Sequence, residues 1–152
     1  MAAVSFRPMR EEEFHAWLPG HKSGYAEGMT AFAGLTREDA EAKAERDVAS
    51  IFPNGLATEG VRLWVVEADG SAVGTVFLGV RDAGAWLYDI TIDEGERGRG
   101  YGRAAMLALE EEVRGLGFGE LGLNVWGGNE IARSLYTSLG FGEVSVGMKK
   151  TL

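Results

Sequence analysis

The hydrophobic residues of the first fifty positions recur at a helical period after one short extended segment. The predicted elements are a strand over residues 4–9 and helices over residues 11–18, 25–32 and 36–52. Pro19-Gly20 is predicted to end the first helix, because proline lacks the backbone donor that a helix interior needs. Thr36 is the predicted N-cap of the third helix, which Pro53-Asn54-Gly55 should close.

From residue 63 onward the period changes to two, which is typical of strands. Three consecutive strands are predicted over residues 63–68, 72–80 and 86–93, and Asp69-Gly70 between the first two is a strong hairpin signal. In the third strand, one predicted face holds Trp86, Tyr88, Ile90 and Ile92, and the other holds Leu87, Asp89, Thr91 and Asp93. Because short links join these strands, we expect them to be antiparallel.

The last third of the chain alternates helices and strands. The predicted elements are a helix over residues 100–116, a strand over 121–126, a helix over 129–139 and one or two extended segments over 141–152. The strand–helix–strand of residues 86–126 predicts a right-handed parallel crossover. We therefore expect one mixed α/β domain over residues 1–152, with a central sheet of six or seven strands and helices on both faces.

Composition excludes several classes of protein. The 152 residues are 45% hydrophobic and 25% charged, as in ordinary globular domains, and no apolar run is long enough to span a membrane. The lack of cysteine excludes disulfides and thiol chemistry, and with only two histidines we expect no metal site. A net charge of −8 argues against nucleic acid; it serves solubility in the first place and only weakly favours cationic partners. Without a secretory signal, we expect a cytoplasmic protein; a homodimer is compatible with these features.

Glycines and arginines alternate between a predicted strand end and a predicted helix start. Arg97, Arg99 and Arg103 are interleaved with Gly98, Gly100 and Gly102. Helix N-termini expose unpaired N–H groups that suit phosphate, and glycines let the backbone approach it. Two patterns overlap here, GxGxxA and RxxGxG. The first is a dinucleotide fingerprint, but too few residues follow it for the repeated architecture that such a fold needs.

A second motif, NxxAxxLYxxxGF, lies one strand downstream. Asn129 is the predicted N-cap of its helix, Tyr136 lies one turn from Ala132, and Gly140 closes the helix. The two motifs in this order are far more specific than either alone. Together they resemble the GNAT acyltransferase superfamily, whose small bacterial members use acetyl-CoA, and the resemblance is strongest over residues 62–152.

The resemblance implies a V-shaped opening between the strands at 86–93 and 121–126. Pantetheine would bind the backbone of the first strand there, and the pyrophosphate would meet the N–H groups of the glycine turn. Glu94 stands where the family often has proline, which we expect to alter turn rigidity and not ligand class. The implied cofactor-binding residues are Ile90, Thr91, Ile92, Arg97, Gly98, Arg99, Gly100, Tyr101, Gly102, Arg103, Asn129 and Tyr136.

The resemblance also implies direct transfer of an acetyl group from acetyl-CoA to a primary amine in a ternary complex. Tyr136 resembles the family's general acid toward the departing thiolate. Asp89 is a candidate base, with Glu67 as the alternative, and Asn124 could orient water or substrate. A structural role for Asp89 or Asn124 stays equally open. The acceptor, a small-molecule or peptide amine, is not identified by the sequence.

Two other hypotheses remain at this point. A non-catalytic acyl-CoA-binding module would use the same glycine turn to sense or regulate. A dinucleotide-binding oxidoreductase would use the GxGxxA pattern instead. Tyr136 favours the enzyme over the binding module, because binding alone does not require an acid for the thiolate.

Overall fold

A mixed sheet of five strands forms the centre of the protein, in a computed structural model that describes residues 2–152. The strands are β1 (Ser5–Pro8), β2 (Val61–Ala68), β3 (Ser71–Arg81), β4 (Gly84–Ile92) and β5 (Leu121–Leu123). They lie in chain order across the sheet; the first four are antiparallel and β5 is parallel to β4. The predicted mixed sheet and crossover are confirmed. The predicted count of six or seven strands is wrong, because residues 141–152 pair with no strand within the described residues.

Four helices cover the sheet. They are α1 (Glu11–Ala33), α2 (Arg37–Ile51), α3 (Tyr101–Gly115) and α4 (Glu130–Ser138). The N-cap predicted for α2 is confirmed, since the Thr36 hydroxyl oxygen accepts a hydrogen bond from the Asp39 N–H at 3.1 Å. Within residues 2–152 no helix combines the length and the apolarity needed to cross a membrane.

Helix α1 corrects the prediction of two short helices separated at Pro19-Gly20, because it runs unbroken through Pro19. A proline inside a helix costs about 3 kcal/mol, partly through the lost hydrogen bond to the carbonyl four residues earlier. That carbonyl belongs to His15, whose side chain is 72% exposed, so water can reach this turn. Phe14 precedes the proline and Met29 follows it, and both are buried. Packing on both sides of the proline therefore holds the helix together.

The core lies on both faces of the sheet, as predicted. On one face, α3 contributes Met106 and Leu109 to a cluster with Val76 and Leu78. On the other face, aromatic side chains of α1 and of the segment after α2 pack on Phe77 of β3. The tight turn between β2 and β3 is also as predicted: Asp69 and Gly70 have φ values of 51° and 79°. Both positive values are those of a type I′ hairpin turn.

A β-bulge in β4 corrects the predicted alternation of its side chains. Leu78 pairs with Leu87 and Phe77 pairs with Asp89, so Tyr88 is an extra residue on β4. The ring of Tyr88 stacks on Phe77 at 4.7 Å, on the α1 face of the sheet. Ile90 packs with Leu87 on the α3 face, opposite to the prediction. The extra residue shifts the period by one, so Asp89 lies on the α1 face.

Candidate active site

The sheet opens between β4 and β5. The two strands pair only at Ala85↔Leu121, Trp86↔Gly122 and Leu87↔Leu123. Beyond Leu87, β4 continues to Ile92, whereas the other strand ends at Leu123. The second half of β4 therefore has an edge with no strand beside it in the described chain. This opening lies where the family resemblance implied one.

The backbone of Ile90 and Ile92 faces this opening. The N–H of Asp93 donates to the carbonyl of Val73 on β3 at 2.9 Å. Backbone direction alternates along an antiparallel pair, so Thr91 also turns its backbone to β3, and Ile90 and Ile92 turn theirs away from it. Arg97 Nε donates to the carbonyl of Ile92 at 3.1 Å. The N–H of Ile92 and both backbone groups of Ile90 are directed at the opening.

The glycine turn follows directly after this edge. Gly98 and Gly100 have φ values of 78° and 82°, which favour glycine, and Gly100 is the N-cap of α3 without a side-chain cap. A cavity of about 170 Å³ lies here, lined by Ile92, Glu96, Arg97, Gly98, Gly100, Tyr101 and Gly102. A Cβ on Gly102 would meet its nearest neighbours only at 3.9 Å, so the space over this glycine is open.

The three arginines of the turn all make contacts within the chain. Arg97 bonds the Ile92 carbonyl, as above, and Arg99 forms an ion pair with Glu96 at 2.9 Å. Arg103 Nη2 donates to Ser138 Oγ at 2.7 Å and so links α3 to α4. Each guanidinium has five N–H donors, so each keeps donors for a further anion.

Helix α4 places Tyr136 beside the opening. The side chain of Asn129 accepts a hydrogen bond from the Ala132 N–H at 3.2 Å, which confirms the predicted cap. Tyr136 is half-buried and its ring lies 5.7 Å from that of Phe141. Burial, and secondarily the negative charge of Asp89, raise the pKa of Tyr136. The phenol therefore keeps its proton throughout the neutral range.

Asp89 lies on the other side of the opening, on the α1 face. Thr91 Oγ1 donates to Asp89 Oδ2 at 2.9 Å. Burial raises the pKa of Asp89, and the charge of His21 and the Thr91 hydrogen bond oppose that rise. The charge of Asp89 raises the pKa of both His21 from α1 and Tyr136 from α4, so it acts on groups from two helices.

His21 is a candidate site residue that the sequence analysis did not identify. Its ring stacks on Trp17 at 4.4 Å and meets the edge of Phe77 at 5.6 Å, and Phe77 is the strand partner of Asp89. The predicted break at Pro19 removed residue 21 from any helix. With α1 continuous, the four-residue spacing from Trp17 would have placed His21 on the same buried face.

Two predicted site residues, Glu67 and Asn124, lie apart from Asp89 and Tyr136. Glu67 is on β2, two strands away from β4, and accepts a hydrogen bond from Arg7 Nε at 2.9 Å. Asn124 is exposed and follows β5, which ends at Leu123 and not at Trp126 as predicted. The strand is short because Trp126 leaves the sheet to pack against α1, where its indole covers Gly28.

The profile of the Acetyltransferase (GNAT) family matches residues 26–141 of this chain. The chain belongs to the GNAT acetyltransferase family. It is therefore an acyltransferase, as the sequence motifs indicated, and its mixed sheet with helices is the GNAT fold.

Individual GNAT proteins resemble the chain over nearly its whole length. The uncharacterized N-acetyltransferase YycN of Bacillus subtilis is 31% identical over 98% of this chain and 99% of the relative. The crystal structure of YycN superimposes with a TM-score of 0.94 over 99% of both chains. An aminoglycoside N-acetyltransferase, AAC(6′)-Iy, in complex with CoA is 18% identical, covers all of this chain and 96% of its own, and has a TM-score of 0.60. This last likeness concerns the fold alone.

Proposed function

We propose that the chain transfers the acetyl group of acetyl-CoA to a primary amine by direct attack in a ternary complex. The observation that carries this proposal is the free edge of β4, which leads directly into the uncapped N-terminus of α3. One end of this continuous surface offers strand-like backbone groups, and the other offers the N–H groups of a helix start. A pantetheine arm followed by a pyrophosphate has the matching chemistry.

The residues of the turn fit a pyrophosphate. Unpaired N–H groups and the positive end of the helix dipole attract phosphate, and Gly100 contributes no side chain that would occupy them. The remaining donors of Arg97, Arg99 and Arg103 would neutralise its charge. The open space over Gly102 would admit the phosphates next to the helix backbone.

The chemistry needs a neutral amine and a proton for the departing thiolate. In the proposed reaction the amine nitrogen bonds to the acetyl carbon and the carbon–sulfur bond breaks. Tyr136, whose phenol keeps its proton at neutral pH, donates to the sulfur. Asp89 lies on the α1 face of the opening and is the proposed carboxylate on the amine side. Asn124 follows β5 and is exposed, so only a role in orienting water or substrate near the mouth of the opening is proposed for it. Because the chain has no cysteine, a cysteinyl acyl-enzyme has no place in this scheme.

The acceptor is proposed by class alone, a small-molecule or peptide amine. The net charge of −8 supports a cationic acceptor through long-range attraction, and it opposes nucleic acid as a partner. A cytoplasmic location and the absence of membrane partners remain predictions. Neither a purely regulatory CoA-binding role nor the oxidoreductase has a specific observation in its favour.

Gly102→Val tests the proposed CoA site. We expect the variant to fold normally, because the added Cβ has room, and to lose affinity for CoA because the side chain fills the space for the pyrophosphate. Losing even one charge-assisted hydrogen bond costs about 1.5–3 kcal/mol, so calorimetry should show affinity reduced about tenfold to a hundredfold.

Gly115→Val is the matched control for this test. It makes the same change at the last residue of the same helix, where a Cβ meets nothing within 4 Å. CoA affinity should then equal that of the wild type. Unchanged affinity in Gly102→Val would place the phosphates elsewhere. Release of CoA from acetyl-CoA with a panel of amines then tests the transfer itself.

A further inference from the structure

His21 and Asp89 form a pair of titratable groups on the α1 face of the opening. His21 is held between Trp17 and Phe77 by ring contacts at 4.4 and 5.6 Å. Asp89 is the strand neighbour of Phe77, and the bulge at Tyr88 turns it to this face. Three separate elements, α1, β3 and β4, therefore place the imidazole and the carboxylate on the same face around Phe77, with no direct hydrogen bond between them in this structure.

The hydrogen bonds of Asp89 leave one of its oxygens for a second partner. Thr91 Oγ1 donates to Oδ2, and Oδ1 remains. Burial lowers the pKa of His21, while the charge of Asp89 raises it, and the net shift is downward. At neutral pH the imidazole is therefore unprotonated and can accept a proton, and the adjacent carboxylate stabilises the imidazolium that results.

The other ionisable groups around the pair come from β4, α4 and α1. Tyr88 stacks on Phe77, and the charge of Asp89 also acts on Tyr136 of α4. On α1, Lys22 is bound to Glu45 and the Tyr25 hydroxyl donates to Asp47, both on α2. Asp89 is thus the group whose charge acts on His21.

We propose that His21 accepts the proton of the incoming ammonium, with Asp89 as its charged partner. This inference rests on the proposed acetyltransferase function and adds the proton acceptor to it. A nitrogen–hydrogen bond of the ammonium breaks, a new one forms on the imidazole, and the freed amine lone pair attacks the acetyl carbon. The pair carries one negative charge before transfer, which suits a cationic primary amine as acceptor.

NMR titration of the free protein tests the pair without any substrate. The chain has two histidines, and His15, exposed at the start of α1, serves as an internal reference. We expect the His21 imidazole to titrate below the ordinary histidine pKa of 6.5, because burial lowers it. Asp89→Asn should lower the His21 titration further, since it removes the charge that opposes desolvation, and should leave His15 unchanged. An unchanged His21 titration in Asp89→Asn would overturn the pairing.

Kinetics then test the role. His21→Phe keeps a ring between Trp17 and Phe77 and removes the proton acceptor, so kcat should fall by about 10²–10⁴ while CoA affinity is unchanged. His15→Phe is the matched control and should retain full activity. The acid limb of the wild-type kcat/KM profile should coincide with the NMR titration of His21. Full turnover of His21→Phe would overturn the proposal. If the wild-type protein does not bind CoA, the proposed function itself is wrong.

Discussion

Residues 9–113 and residues 121–152 of this protein differ in how much of their apolar surface is buried. Every buried hydrophobic side chain of the described residues lies between Met9 and Val113, and α4 contains none. Residues 121–152 contact the core through half-buried side chains such as Tyr136 and Phe141, and through the Arg103–Ser138 hydrogen bond. The first region therefore supplies most of the stability. The second places a proposed catalytic group at the edge of that stable body.

The largest expected effect separates function from stability in the second region. Tyr136→Phe keeps the ring and removes the phenol, so kcat should fall by about 10²–10⁴. The free energy of unfolding should change little. The wild type should lose activity at high pH, above the usual phenol pKa of about 10, because the pKa of Tyr136 is raised; the variant should lack this limb.

Leu135→Met, on the same helix, is a control with a conservative side chain and should keep normal turnover. If Tyr136→Phe turns over a competent amine at the wild-type rate, Tyr136 is a packing residue. Water or another group would then have to protonate the departing thiolate.

A smaller effect compares stability between the regions directly. Leu78→Ala removes a fully buried side chain from β3 and should lower the free energy of unfolding by about 2–5 kcal/mol. Ile131 on α4 is 88% exposed, so Ile131→Ala should change the free energy of unfolding by less than about 0.5 kcal/mol. Urea unfolding measures both. Equal losses of stability in the two variants would show that residues 121–152 contribute as much to stability as residues 9–113.

The smallest effect concerns acid stability in the first region. A hydrogen bond from Arg7, followed by one from the Arg10 N–H, lowers the pKa of Glu13 to about 2. A lowered folded-state pKa stabilises the protein above the unfolded value of 4.5, and this contribution disappears as the pH falls through about 2. Glu13→Gln should therefore lower Tm at pH 6 slightly, and the difference from the wild type should shrink between pH 4.5 and 2. Thermal unfolding followed by circular dichroism checks this; a constant difference would argue against it.

Local signals in the sequence were read correctly where a few neighbouring residues decide the structure. The Asp69-Gly70 turn, the Thr36 and Asn129 caps and the start of α3 after the glycine turn each depend on backbone geometry over two to four residues. The order of strands and helices followed from periodicity for the same reason. These local features are enough to indicate the GNAT family from the sequence.

Features that depend on distant partners differ from the sequence predictions. Helix α1 continues through Pro19 because packing on both sides of the proline outweighs the free energy of the lost backbone hydrogen bond. The bulge at Tyr88 depends on how β4 meets β3, and it reverses which side chains share a face.

The sequence alone determined the class of fold, the family and the glycine turn, because motifs and caps are local. It also indicated Tyr136 and Asp89 as candidate catalytic residues. Only the tertiary structure decided that Asp89 and His21 lie on the same face of the sheet, that Glu67 lies two strands away and that residues 142–152 form no strand. These outcomes depend on strand register and on packing between residues far apart in the chain, which no short window of sequence contains.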